Sequence, residues 1–115
     1  MQFEDFWGRV PPNESHLHDS SSLAFEWDPD KAASNFKKHG ISFDTARTVF
    51  ADLNELTIHD PVHSYDEERY LSLGMTKTDQ LLIVSYTERG DVIRIISARR
   101  ANRKERANYE RAKSP

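Results

Sequence analysis

Between residues 71 and 97 apolar side chains recur at every second position, and the two connections inside that stretch, TKTD and ERGD, are only a few residues long. A parallel pair needs a dozen or more residues in its crossover, so three strands joined this tightly must run antiparallel as a meander. Leu71, Leu73 and Met75 mark the first strand, residues 81–86 the second and residues 92–97 the third. The middle run, LLIVSY, is apolar at nearly every position, as a central strand covered on both faces should be. Leu56 and Ile58 supply one more strand upstream.

Before residue 55 the period is helical. Asp28-Pro29 opens a helix: the aspartate accepts from otherwise unpaired N–H groups, and proline surrenders a donor that would have had no partner. Gly40, after His39, supplies the stop. Ala32, Ala33 and Phe36 are predicted to face a core, with Lys31, Asn35 and Lys38 on a separate polar stripe. Ser42 caps a second helix whose apolar residues, Phe43, Ala46, Val49 and Phe50, follow three-and-four spacing until residues 52–54 end it. Ahead of both, LAFEW alternates Leu23, Phe25 and Trp27 on one face of a short strand.

Asn102 and Glu105 have the N-x-x-E spacing of a capping box and open a last helix. Its apolar groups, Ala107, Tyr109 and Ala112, make a poor core face, so it needs a docking groove or a partner. The order strand, two helices, four strands, helix predicts one α+β domain over residues 23–113. An antiparallel sheet carries the two N-terminal helices on one face, together with a C-terminal helix, the helices gathered on one side. Residues 1–22 contain PPNESHLHDSSS and show no periodic apolar face; a flexible extension is expected there.

Several function classes drop out. The chain has no cysteine, hence no disulfide framework and no thiolate metal site, which fits a reducing cytoplasm. No apolar run approaches the roughly 20 residues of a membrane span, so no membrane partner is expected. The start lacks a basic segment followed by an apolar one and does not read as a secretory signal. His59 and His63 have H-x-x-x-H spacing, but Pro61 opposes the helix that would align them and no third ligand stands at a suitable distance. Neither a metal nor a cofactor is expected. No phosphate-binding glycine loop and no G-x-S-x-G elbow is present.

The formal net charge of −3 hides a strong polarity. Residues 51–91 hold nine acids against three bases, whereas residues 92–115 hold eight bases against two acids. A polyanion responds to that local field rather than to the sum.

The run DPDKAASNFKKHGISF at residues 28–43 strongly resembles the opening of BrnT family toxins. Phe50 and Asp52, Glu68-Arg69, the run IRIISARRA at residues 93–101, and Glu105 with Tyr109 continue the resemblance in order across the domain. Residues 1–22 depart from the pattern, since these toxins usually begin near the first strand. The resemblance implies a RelE-like fold and metal-independent endoribonuclease activity. It also implies a BrnA-like ribbon-helix-helix antitoxin as partner, operator DNA bound only through the toxin–antitoxin complex, and a two-plus-two assembly with that dimeric antitoxin.

Cutting RNA without a metal requires a base for the 2′-hydroxyl proton, a cation for the phosphoryl oxygens and an acid for the leaving 5′-oxygen. Arg99, just past the last strand and inside the most family-like motif, is the first candidate for the cation, because guanidinium grips phosphate through two parallel donors. Arg69 and Arg89 are further candidates, and for each arginine a surface salt bridge is the alternative. His39 is either a proton shuttle or a polar group closing its helix. Glu105 and Tyr109 lie one turn apart, as base and proton donor or stacking group, or as a cap and an anchor to the sheet. Lys31, Lys38, Arg94, Arg100 and Arg103 are expected to contact the RNA backbone. The competing reading is a non-catalytic protein-binding or DNA-regulatory module, which needs the arginines but no proton-transfer group.

Overall fold

The computed structural model describes residues 23–64 and 66–113; the expected extension over residues 1–22 lies outside them. In chain order the elements are β1 (Ala24–Glu26), α1 (Pro29–His39), α2 (Phe43–Ala46) continuing into a 3-10 turn (Arg47–Ala51), β2 (Leu56–His59), β3 (Arg69–Met75), β4 (Leu81–Arg89), β5 (Val92–Arg100) and α3 (Arg103–Lys113). Caps form where the sequence places them. Asp28 accepts from Asp30 N–H at 2.8 Å, Ser42 accepts from Thr45 N–H at 3.0 Å, and Gly40 ends α1 at φ 71°, a left-handed conformation that other residues adopt at a cost.

The five strands lie in the order β1-β5-β4-β3-β2. The meander is antiparallel as expected, but β1 joins β5 in parallel, so the sheet is mixed rather than antiparallel. The connection from β1 to β5 spans most of the domain, and a three-residue strand carries no local signal for its direction.

Two apolar clusters occupy opposite faces. On one, Ile41, Phe43, Ala46, Val49 and Phe50 pack over Leu82, Val84, Tyr86, Ile93 and Ile95, with the Phe50 and Tyr86 rings meeting edge to face at 4.9 Å. The 3-10 turn sits so close that a Cβ at Gly74 would stand 2.7 Å from Val49 Cγ1. The other cluster joins Leu56, Ile58, Leu73, Leu81 and Ile83 to Tyr109 of α3. The helices are therefore not gathered on one side; α3 takes the face opposite α1 and α2. It covers only one end of that face, where Leu81 is buried, and leaves Leu71 and Ser85 partly exposed and Ser97 exposed.

Two local expectations fail for the same reason. Asn35 is buried rather than part of a polar stripe, while Ala33 and Phe36 face solvent. Because β1 pairs only with residues 92–94, the rest of the outer edge of β5 has no neighbouring strand among the described residues. Asn35 closes it: its side-chain amide donates to the Ala98 carbonyl at 2.9 Å and to the Ile41 carbonyl at 3.2 Å, and accepts from Ala98 N–H at 3.1 Å. An amide thus stands in for a strand at an edge that would otherwise be bare. Asn35→Ala should lower stability by about 2–3 kcal/mol, since the buried Ala98 groups lose their partner. Denaturant titration reads this, and a loss below about 0.5 kcal/mol would contradict it.

Candidate active site

The uncovered part of the α3 face is built in rows across the strands. One row is Leu73, Ile83 and Arg99, the next Leu71, Ser85 and Ser97, and beyond them lie Arg69, Thr87 and Arg94. A β-bulge makes this possible: the register steps from Ser85↔Ser97 to Tyr86↔Ile95, leaving Ile96 as the extra residue. The step reverses the alternation of β5, so Arg94 and Arg99 share a face despite their odd separation. Thr87 Oγ1 is buried between Arg69 and Arg94 in this row, with no hydrogen-bond partner among the described residues.

A cavity of about 300 Å³ opens over the middle of this face, lined by His39, Arg99, Ser85, Ser97, Leu71 and Ile83 together with His59, Asp60, Val62 and His63 from the end of β2 and the loop after it. His39 reaches the cavity because α1 ends at the outer edge of β5, where Arg100 Nη1 donates to the His39 carbonyl at 2.9 Å. That contact gives Arg100 a positioning task as well as a solvent-exposed surface.

Arg99 is gripped from below. Its Nη1 and Nη2 donate to the two Glu105 oxygens at 2.9 and 2.8 Å, and Nη1 also reaches the Arg100 carbonyl at 3.1 Å. Glu105 is fully buried, while the Arg99 side chain keeps 40% of its surface open. The expected capping box is present in reciprocal form: Asn102 N–H donates to Glu105 Oε1 at 2.9 Å and Glu105 N–H to Asn102 Oδ1 at 2.8 Å. Glu105 thus starts α3 and holds Arg99 at the cavity, and its burial withholds it from a substrate.

Tyr109 is likewise buried. Its hydroxyl donates to Asp52 Oδ2 at 2.6 Å, and that oxygen also receives Met75 N–H at 2.8 Å. Burial, reinforced by the Asp52 carboxylate, pushes its phenol above the ordinary range and keeps it protonated. This is an anchor between α3 and the sheet rather than a group facing substrate.

The other expected residues divide. Arg69 shares the face but lies outside the cavity lining. Arg94 lies in the same row with Nη1 on Glu26 at 2.9 Å, and is 27% exposed. Arg89, at the hairpin, is paired with Glu67 at 3.3 Å with both side chains well exposed, the salt-bridge alternative. Lys31 and Lys38 are exposed on α1 and Arg103 at the start of α3.

Sequence reasoning missed the loop after β2. His63 Nδ1 donates to Asp60 Oδ2 at 2.8 Å, and His59 Nε2 bonds Glu68 and, at 3.3 Å, Ser64 Oγ. The readable signal was Asp60-Pro61, a pair that favours a turn closed by the aspartate side chain, rather than the H-x-x-x-H spacing. Among the described residues no three histidine, cysteine or acidic side chains are grouped to hold a metal ion.

No curated protein matches the chain. The fold is similar to the crystal structure of the Brucella abortus ribonuclease toxin BrnT, with a TM-score of 0.53 and 20% identity, covering 70% of this chain and 99% of that one. The family profile described as "Ribonuclease toxin, BrnT, of type II toxin-antitoxin system" matches residues 27–105, a span holding strands β2 to β5, His39, the loop after β2, Arg99 and Glu105. The chain belongs to the BrnT family of type II toxin–antitoxin ribonuclease toxins.

Proposed function

We propose that this protein is a metal-independent endoribonuclease with a RelE-like fold, acting in the cytoplasm and silenced by a BrnA-like ribbon-helix-helix antitoxin in a two-plus-two complex. The observation that carries the reading is the meeting of His39 and Arg99 in one cavity, with the arginine fixed by a buried carboxylate. Arg99 supplies the charge that the pentavalent phosphorus needs, already oriented before substrate arrives. His39 supplies a proton-transfer group at the same place.

The row of Arg69 and Arg94 lies four residues along β4 from the row of Arg99, about 13 Å at strand rise. Those two arginines therefore serve a neighbouring phosphate of the same strand, with Lys31, Lys38, Arg100 and Arg103 farther out. The antitoxin covers this cationic face, and operator DNA is bound only through the antitoxin.

The test is RNA cleavage by purified protein in excess EDTA, with the antitoxin titrated in. Cleavage should persist in EDTA, weaken with added salt, and stop at one antitoxin per toxin. An antitoxin that binds without inhibiting would contradict the covering role. Absence of cleavage with salt-dependent binding of duplex DNA would favour a regulatory module instead.

A further inference from the structure

In-line cleavage needs two proton-transfer groups on opposite sides of the phosphorus, and His39 is one. Resting on the nuclease reading, we propose that His63, oriented by Asp60, is the general base that takes the proton from the 2′-hydroxyl.

Asp60 and His63 are built as a dyad rather than a surface ion pair. The Asp60 side chain is 11% exposed and that of His63 60%, so a nearly buried carboxylate directs an open ring. Asp60 is itself fastened. Its N–H donates to the Arg69 carbonyl at 2.8 Å, and its Oδ1 accepts from Val62 N–H at 3.2 Å. Its carbonyl accepts from Ser64 Oγ at 2.6 Å, and that hydroxyl oxygen in turn accepts from Arg69 N–H at 2.9 Å. The loop is thus tied to β3 at both ends, and Pro61 fixes one further backbone angle.

With Nδ1–H committed to Asp60, the neutral ring carries its lone pair on Nε2. Among the described residues Nε2 has no protein partner, and the ring lines the cavity that holds His39 and Arg99. His59 lines it too, but its Nε2 is already engaged by Glu68 and Ser64. Of the two imidazoles that this loop brings to the cavity, His63 is the one whose Nε2 is open to accept a proton.

The step balances. Nε2 of His63 takes the 2′-hydroxyl proton as the 2′-oxygen bonds to phosphorus. The bond from phosphorus to the 5′-oxygen breaks, and that oxygen receives a proton from the His39 imidazolium. The products are a 2′,3′-cyclic phosphate and a 5′-hydroxyl, with Asp60 acting only as a positioning residue.

The test is steady-state cleavage of a short RNA in EDTA, alongside the same RNA with sulfur replacing the bridging 5′-oxygen, whose thiolate leaves without needing a proton. His63→Gln should lower kcat by about 100-fold or more with KM within about threefold, and the sulfur substrate should not restore it. The sulfur substrate should restore His39→Gln. Added imidazole should revive His63→Gly, whereas Asp60→Asn should lose about 10-fold in kcat and gain nothing from imidazole. If the wild type cleaves and Arg99→Ala does not, yet His63→Gln stays within about threefold of wild type, the dyad is not the base and the nuclease reading survives. If sulfur restores His63→Gln, the base assignment is wrong. A wild type that cleaves nothing overturns both.

Discussion

Arg99→Ala is expected to lower RNA cleavage by about 10²–10³-fold and to cost about 3 kcal/mol of folding stability. The two effects have separable causes. Cleavage falls because the guanidinium that faces the cavity is gone. Stability falls because Glu105, fully buried, is left without its cation. The asymmetry of exposure sets the expected order. Glu105→Gln leaves an arginine that is 40% open to water, so it should destabilise less than Arg99→Ala. It should still impair cleavage, because the fork is no longer held by two charge-assisted bonds. Combining Arg99→Met with Glu105→Gln removes both charges and should recover most of the lost stability without recovering activity. Thermal unfolding and cleavage rates on the four proteins settle it. A double variant that regains activity along with stability would mean that Arg99 only supports the fold.

The second large effect concerns Glu55, which lies far from the cavity on the opposite face. Its Oε2 accepts from Ser72 Oγ at 2.6 Å and from Thr57 Oγ1 at 3.2 Å. Burial outweighs these bonds and pushes its carboxyl up to about 7 from an ordinary 4.5. The folded state therefore keeps this proton through a pH range in which the unfolded chain has lost it. The Glu55 contribution to stability is fully present below pH 4.5, declines between 4.5 and 7, and is level above that. At about 1.4 kcal/mol per unit, the decline is about 3 kcal/mol. Glu55→Gln keeps an oxygen acceptor for both hydroxyls and removes the titration. It should be near neutral at pH 4 and stabilise by about 2 kcal/mol or more at pH 8, read by urea unfolding across pH. Equal effects at the two pH values would show that Glu55 does not hold its proton.

Local chemistry was the most legible part of this sequence. Asp28, Gly40, Ser42 and the Asn102–Glu105 box each report on a few neighbouring residues, and each forms as its pattern requires. The meander was legible because short turns leave no alternative. The parallel pairing of β1, the placement of α3 and the burial of Asn35 were not, because each depends on partners 57 to 68 residues away. The site divides in the same way. Arg99 and His39 carry family-like surroundings and meet in the cavity. Glu105 was visible as a cap, while its grip on Arg99 required knowing where β5 ends. Arg89 carried no sign that Glu67 would claim it. His63 was weighed only as a metal ligand, since a dyad closed by a turn resembles a ligand spacing until the turn is seen.

The central claim is that a fixed arginine and imidazoles sharing one cavity on this sheet cut RNA by internal attack of the 2′-oxygen. The most direct measurement is the chemistry of the new ends after cleavage in excess EDTA. Fragments ending in a 2′,3′-cyclic phosphate beside a 5′-hydroxyl are the predicted result. Fragments bearing a 5′-phosphate, produced only when a divalent metal is supplied, would contradict it.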